Sequence, residues 1–127
     1  MPTFIVTYPG RIDPSPVLEG KFLQLRLAGG DYLLFAAAAE LRYHNQILAR
    51  FLSSQDIPHR WEREETLVFA HPDLAILGGG RFRLDQVGKT LQVWDASGVY
   101  GRFDAAALSA QIDSADAPWQ GLSLSVA

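Results

Sequence analysis

Cysteine is absent from this 127-residue chain. That excludes a disulfide framework, a thiol nucleophile and any cysteine-ligated zinc, and it leaves the redox compartment open. No apolar run approaches the roughly 20 residues that cross a bilayer as a helix. The opening Met1-Pro2-Thr3-Phe4-Ile5-Val6 has neither the basic n-region nor the apolar stretch of a secretory signal. Both absences point to a cytoplasmic protein without a membrane partner. A basic stripe is missing too, since 11 Lys and Arg stand against 14 Asp and Glu for a net charge of −3. That balance repels a polyanion, so nucleic acid is not an expected partner. Arg60 and Arg63, interleaved with Glu62, Glu64 and Glu65, read as a solvated, salt-bridged surface. His44, His59 and His71 form no HxH or HExxH cluster, so neither a metal nor another cofactor is expected. There is no internal repeat and no low-complexity segment.

What remains is ordinary globular material. Hydrophobic residues make up 48% of the chain and charged ones 20%, enough apolar surface for a core without a metal or disulfide staple. The length predicts one domain spanning residues 1–127.

Pro9, Pro14 and Pro16, with Gly10 and Gly20, predict irregular chain over residues 8–20. Lys21, Leu23, Leu25 and Leu27 then alternate with Phe22, Gln24 and Arg26, the period of a strand, and Gly29-Gly30-Asp31 turns the chain. Residues 32–54 admit two readings: one long helix through the four alanines at 36–39, or a buried strand followed by a helix from about Leu41. Leu41, His44, Ile47, Leu48, Phe51 and Leu52 form one helical face in either case. Charged residues 59–65 read as connecting chain before Leu67–Ala70. Leu74–Leu77 reads as a short strand, followed at Gly78-Gly79-Gly80 by a break, a bulge or turn that admits unusual backbone angles or close backbone approach. Two further strands flank a hairpin at Val87-Gly88, a helix carries Leu108 and Ile112, and Leu122, Leu124 and Val126 form a closing strand. The fold expected is α+β, a single mixed β-sheet flanked by two α-helices. Trp61, Trp94 and Trp119 read as core or interface anchors, with core expected for most of them.

Taken singly, the candidate site residues are ambiguous. On spacing alone His44, on an apolar helical stripe, is better read as a partly buried structural histidine than as a catalytic one. His59 and His71, each beside a proline, read as exposed. Lys21 shares a face with leucines; its stem can pack while its head reaches water, or the ammonium can point into a cleft. Gly78-Gly79-Gly80-Arg81 lacks the GxGxxG spacing and the GK[ST] ending of nucleotide-binding loops. Ser97-Gly98-Val99-Tyr100-Gly101, between a strand and a helix, can turn consecutive N–H groups and a hydroxyl toward an anion, aided by the helix dipole.

In combination the pieces resemble one family. Gly20-Lys21-Phe22-Leu23-Gln24-Leu25-Arg26, Tyr43-His44, Leu77-Gly78-Gly79-Gly80-Arg81-Phe82 and Ser97-Gly98-Val99-Tyr100-Gly101 occur in the order found in the Janus family, which includes the small phosphohistidine phosphatases. The matching segments run from about Lys21 to Ile112. The resemblance implies a mixed sheet with two helices and metal-independent hydrolysis of a phosphohistidine-containing protein or small phosphoramidate. By motif, His44 would be catalytic, Lys21 a substrate-binding cation, and Ser97, Gly98 and Val99 the phosphate loop, with Arg81, the arginine after the glycine triplet, also substrate-binding. It also favours a strand that ends before a helix opening near His44. The chain departs from the pattern at Asn45-Gln46, where the family carries a small residue and an aspartate, and in its longer segment over residues 57–73. Those departures keep open a non-catalytic module of the same fold that binds a phosphorylated or anionic partner.

Overall fold

The alternation read from Lys21 onward lies in the middle of the molecule. The computed structural model describes residues 2–8, 16–115, 119 and 121–127. They form β1 (Thr3–Tyr8), β2 (Val17–Leu27), β3 (Gly30–Ala37), α1 (His44–Ser54), β4 (His59–Glu62), β5 (Thr66–Phe69), β6 (Leu74–Asp85), β7 (Thr90–Trp94), α2 (Ala105–Asp113) and β8 (Ser123–Val126). Six strands make one mixed sheet in the order β1-β3-β2-β6-β7-β8. Its outer pairs, β1 with β3 and β7 with β8, are parallel; β3–β2, β2–β6 and β6–β7 are antiparallel. The expectation of a single sheet is corrected, because β4 and β5 pair as a separate two-stranded sheet.

Successive residues of a strand point to opposite faces, and β2 divides its side chains accordingly. Leu23 and Leu25 cluster with Leu34 and with Ile47, Leu48, Phe51 and Leu52 of α1. Phe22 clusters instead with Phe35, Phe82, and Leu108 and Ile112 of α2. Phe22, Phe35 and Phe82 are fully buried, each stabilising the fold by roughly 1.5–3 kcal/mol relative to exposure. Gln24, on the Phe22 side, is also fully buried. Its amide donates to Gln111 Oε1 (2.9 Å) and its Oε1 accepts from Asp104 N (2.7 Å). Gln111 donates onward to Asp31 Oδ2 (2.9 Å), whose other oxygen meets Arg26 Nε at 2.8 Å. This chain of polar contacts fastens α2 to the sheet.

The alanine-rich run resolves into strand followed by helix. Phe35, Ala36 and Ala37 pair with Phe22, Lys21 and Gly20, so sheet pairing overrides alanine's helical preference. The helix opens at His44, where Gln46 Oε1 accepts from the N–H groups of Tyr43 (3.2 Å) and Arg42 (2.9 Å) and so satisfies donors ahead of the first turn.

Several other expectations are corrected. Strand β1 reaches Tyr8 and β2 begins at Val17, so the irregular segment is shorter than 8–20; residues 9–15 lie outside the described residues. Residues 59–65 are a strand and a turn, and their charges enter none of the three ion pairs found among the described residues. Trp119 is buried and Trp94 half-buried, but Trp61 is 43% exposed. His59 and His71 are half-buried.

The glycine triplet does not end a strand; β6 runs through it. Between Gln24 and Leu25 the pairing with β6 shifts register from Gly78 to Ile76, leaving Leu77 as a bulge. The glycines are needed because other chain segments lie directly on the strand. A Cβ at Gly78 would fall 2.3 Å from Arg102 O, and one at Gly79 would fall 2.6 Å from Phe22 O and 2.9 Å from His44 Cδ2. Among the described residues, no helix is long and apolar enough to cross a membrane.

Candidate functional site

His44 is the first residue of α1 and is 7% exposed. Its Nε2 lies 3.1 Å from the carbonyl oxygen of Gly80. A carbonyl only accepts, so Nε2 carries the hydrogen and donates, and in the neutral ring the lone pair is on Nδ1. The Cδ2–Nε2 edge faces Gly79 closely. Nδ1 is the vertex opposite that bond and is turned away from the strand. Burial pushes the imidazole pKa below its usual value; the Gly80 carbonyl opposes this, and the Lys21 charge pushes in the same direction as burial. The ring is therefore neutral at pH 7, set against the backbone carbonyls of Gly80 and Phe22. It shares the apolar stripe of α1, as a structural histidine does, and it also lines a cleft.

That cleft, of about 730 Å³, brings His44 together with Ser97, Gly98 and Val99, and also with Tyr43, Asn45, Gln46 and Trp61. The loop differs from the open anion cradle expected. Ser97 N–H donates to Gly101 O (3.0 Å), and Gly101 N–H donates back to Ser97 O (2.9 Å). The amides of Val99 (3.3 Å) and Tyr100 (3.1 Å) both turn onto Ser97 Oγ. The loop thus closes around its own serine. Two donors survive this closure, since Ser97 Oγ accepts twice but still has its own proton to give, and the Gly98 N–H enters none of these bonds. The helix terminus at the cleft is also not the one expected. Asp104 caps α2 by accepting from Ala107 N (3.0 Å), whereas the first turn of α1 lines the cleft with the loop.

Lys21 and Arg81 are cross-strand partners, one position along from the Phe22–Gly80 pair that carries the histidine's anchor. They line a second hollow of about 380 Å³, with Arg42 and Trp94, and Tyr43 belongs to both hollows. Lys21 Nζ lies 5.4 Å from the Tyr43 ring centroid, within cation–π range. Arg81 Nε is 3.3 Å from Asp95 Oδ2 with both side chains about half exposed, a contact worth at most about 1 kcal/mol. The structure therefore gathers His44 with Ser97–Val99, and Lys21 with Arg81, on either side of one tyrosine.

Four residues around this site escape sequence reasoning. Asn45, buried behind His44, donates from Nδ2 to Glu65 O at 2.8 Å and accepts the hydroxyl of Tyr100 at Oδ1. Tyr43 divides the hollows, and Trp61 forms an outer wall. Tyr43 and Tyr100 stand inside quoted motifs without a role, Asn45 is named only as a departure from one, and Trp61 only as a core or interface tryptophan. Among the described residues no group of three or more His, Asp or Glu is placed to hold a metal ion.

No protein-family model matches the chain, and no curated protein matches it.

Proposed function

We propose that the chain is a metal-independent protein phosphohistidine phosphatase, folded as one domain with a helix on each face of the six-stranded sheet, and that His44 is its general base. The reading rests chiefly on one observation: His44 fixes its Nε2 on the Gly80 carbonyl while its ring lines the same cleft as Ser97, Gly98 and Val99. Such a histidine presents a neutral, oriented base beside hydroxyl and amide donors.

Phosphoryl transfer depends on in-line positioning and on charge or dipoles around the equatorial oxygens. Ser97 Oγ–H and Gly98 N–H donate to those oxygens. Lys21 acts from the far side of Tyr43, close enough that its charge already depresses His44, and Arg81 adds to the same field. Water attacks phosphorus; Nδ1 of His44 takes one proton as the O–P bond forms. The P–N bond breaks, the substrate imidazole nitrogen takes up a proton from solvent, and His44 returns its own. The products are inorganic phosphate and histidine. One positioned base contributes roughly 10²–10⁴-fold. A phosphoryl group carried on His44 itself would use the same nitrogen; an acid-labile phosphoryl label trapped on the protein distinguishes that route.

The test is phosphate release from a phosphohistidine peptide in excess EDTA. Wild type turns over and His44→Ala does not; undiminished activity in the variant removes His44 from the mechanism. A second reading, a binding module without turnover, is favoured by the loop's closure on Ser97 and by the Arg81–Asp95 contact. Phosphate-induced shifts of the Gly98 amide without hydrolysis of any phosphoramidate select it.

A further inference from the structure

The cleft beside His44 exceeds what a phosphoryl group fills. At about 730 Å³ it falls within the roughly 300–1,000 Å³ of pockets that enclose a whole small ligand. Its outer wall is the turn of the β4–β5 hairpin, with Trp61, Arg63, Glu64 and Glu65. This hairpin is held in place. Leu67 is buried against α1 residues, and Asn45, next to His44, grips the Glu65 carbonyl at 2.8 Å.

The wall has unspent recognition groups. Trp61 is 43% exposed, and the cation–ring contacts among the described residues are made to Tyr43, Tyr8 and Phe103 instead. The carboxylates of Glu64 and Glu65 enter no ion pair among the described residues. Charge is divided across the site. Lys21, Arg42 and Arg81 gather in the hollow beyond Tyr43, whereas on the hairpin wall two carboxylates face one arginine. An anion is drawn toward the first side. An aromatic face with surplus carboxylates suits a cation.

We propose that the β4–β5 hairpin selects substrate proteins that carry a lysine or arginine close to the phosphorylated residue. The basic side chain stacks on Trp61 and its charge is met by Glu64 and Glu65. The inference takes the phosphorylated residue from the phosphatase reading, but the recognition of the basic residue stands on the hairpin alone.

The experiment compares histidine peptides flanked by lysines with the same peptides flanked by glutamates. With both phosphorylated, wild-type kcat/KM favours the lysine peptide by at least about fivefold, the scale of a cation–π contact with added charge. Trp61→Ala, and separately the double variant Glu64→Gln with Glu65→Gln, bring that ratio toward one. If neither phosphorylated peptide is hydrolysed, the phosphatase reading fails by itself. Calorimetry with the unphosphorylated peptides then decides the hairpin's role: tighter binding of the lysine peptide, lost in Trp61→Ala, supports it. Equal affinity for the two peptides, preference for the glutamate peptide, or a preference that both sets of substitutions leave intact overturns it.

Discussion

Tyr100, from the loop after β7, gives its hydroxyl proton to Asn45, the residue directly behind His44 at the start of α1. Through Asn45's other amide atom the same side chain holds the β4–β5 turn. Loop and hairpin are thus fixed by one amide, on the residue next to His44. Asn45→Ala is expected to lower kcat by about tenfold or more through mispositioning and stability by roughly 1–3 kcal/mol through unpaired buried groups. Asn45→Asp keeps an acceptor for Tyr100 but sets a buried carboxylate oxygen against the Glu65 carbonyl, two acceptors with no hydrogen between them, so it is expected to melt no higher than Asn45→Ala. Steady-state kinetics and thermal melts on both variants check the order.

The pH dependence follows from His44. Its folded pKa lies below the free-imidazole value of about 6.5, so the basic form persists to lower pH than in an exposed histidine. The acid limb of kcat/KM is expected below 6.5. Removing the Lys21 charge with Lys21→Met moves that limb upward, because the ammonium disfavours the imidazolium. Stability carries the matching sign. The unfolded chain binds the proton more readily, so His44's contribution is intact above about pH 6.5 and is lost as pH falls toward the folded pKa. An NMR titration of the imidazole, with melts from pH 5 to 8 on wild type and His44→Gln, reads both effects.

Gly79 and Gly98 make a contrast within one site. A Cβ at Gly79 would press on the Phe22 carbonyl and on the His44 ring, while one at Gly98 meets nothing within 4 Å. Gly79→Ala is expected to cost about 1–3 kcal/mol by overpacking and to displace His44, visible as a shifted imidazole resonance. Gly98→Ala stays within about 0.5 kcal/mol of wild type in stability. Urea denaturation of the two variants measures the difference.

Gln111 of α2 joins Gln24 to Asp31. Gln111→Ala leaves a fully buried Gln24 amide short of one partner, and a loss of roughly 1–3 kcal/mol is expected. A midpoint of urea unfolding unchanged from wild type would show that solvent replaces the lost contacts.

The elements legible in the sequence are those whose pattern is local. The alternation of β2, the apolar stripe of α1 and the Leu108–Ile112 spacing of α2 each report a buried face within a few residues. Strand β4 was not legible because most of it is exposed, so it has no apolar period. The glycine triplet reads as a break that admits unusual angles or close backbone approach; the approach is there, from Arg102, Phe22 and His44, while the strand continues through it. Gln24 looked like one polar residue on a mixed face until Gln111, 87 residues on, supplied its partner. At the site, motif order singled out Lys21, His44, Arg81 and the Ser97 loop. The grouping into two hollows, and the tie from Asn45 to Tyr100 across 55 positions, depend on tertiary placement that no window along the chain contains.

Tyr43, 58% exposed, lines both hollows, so a single side chain is shared by the compartment of the ammonium and that of the imidazole. A smaller residue at position 43 would change the outline of both compartments at once. The receptor's shape can therefore drift by a single replacement while strands and helices stay where they are.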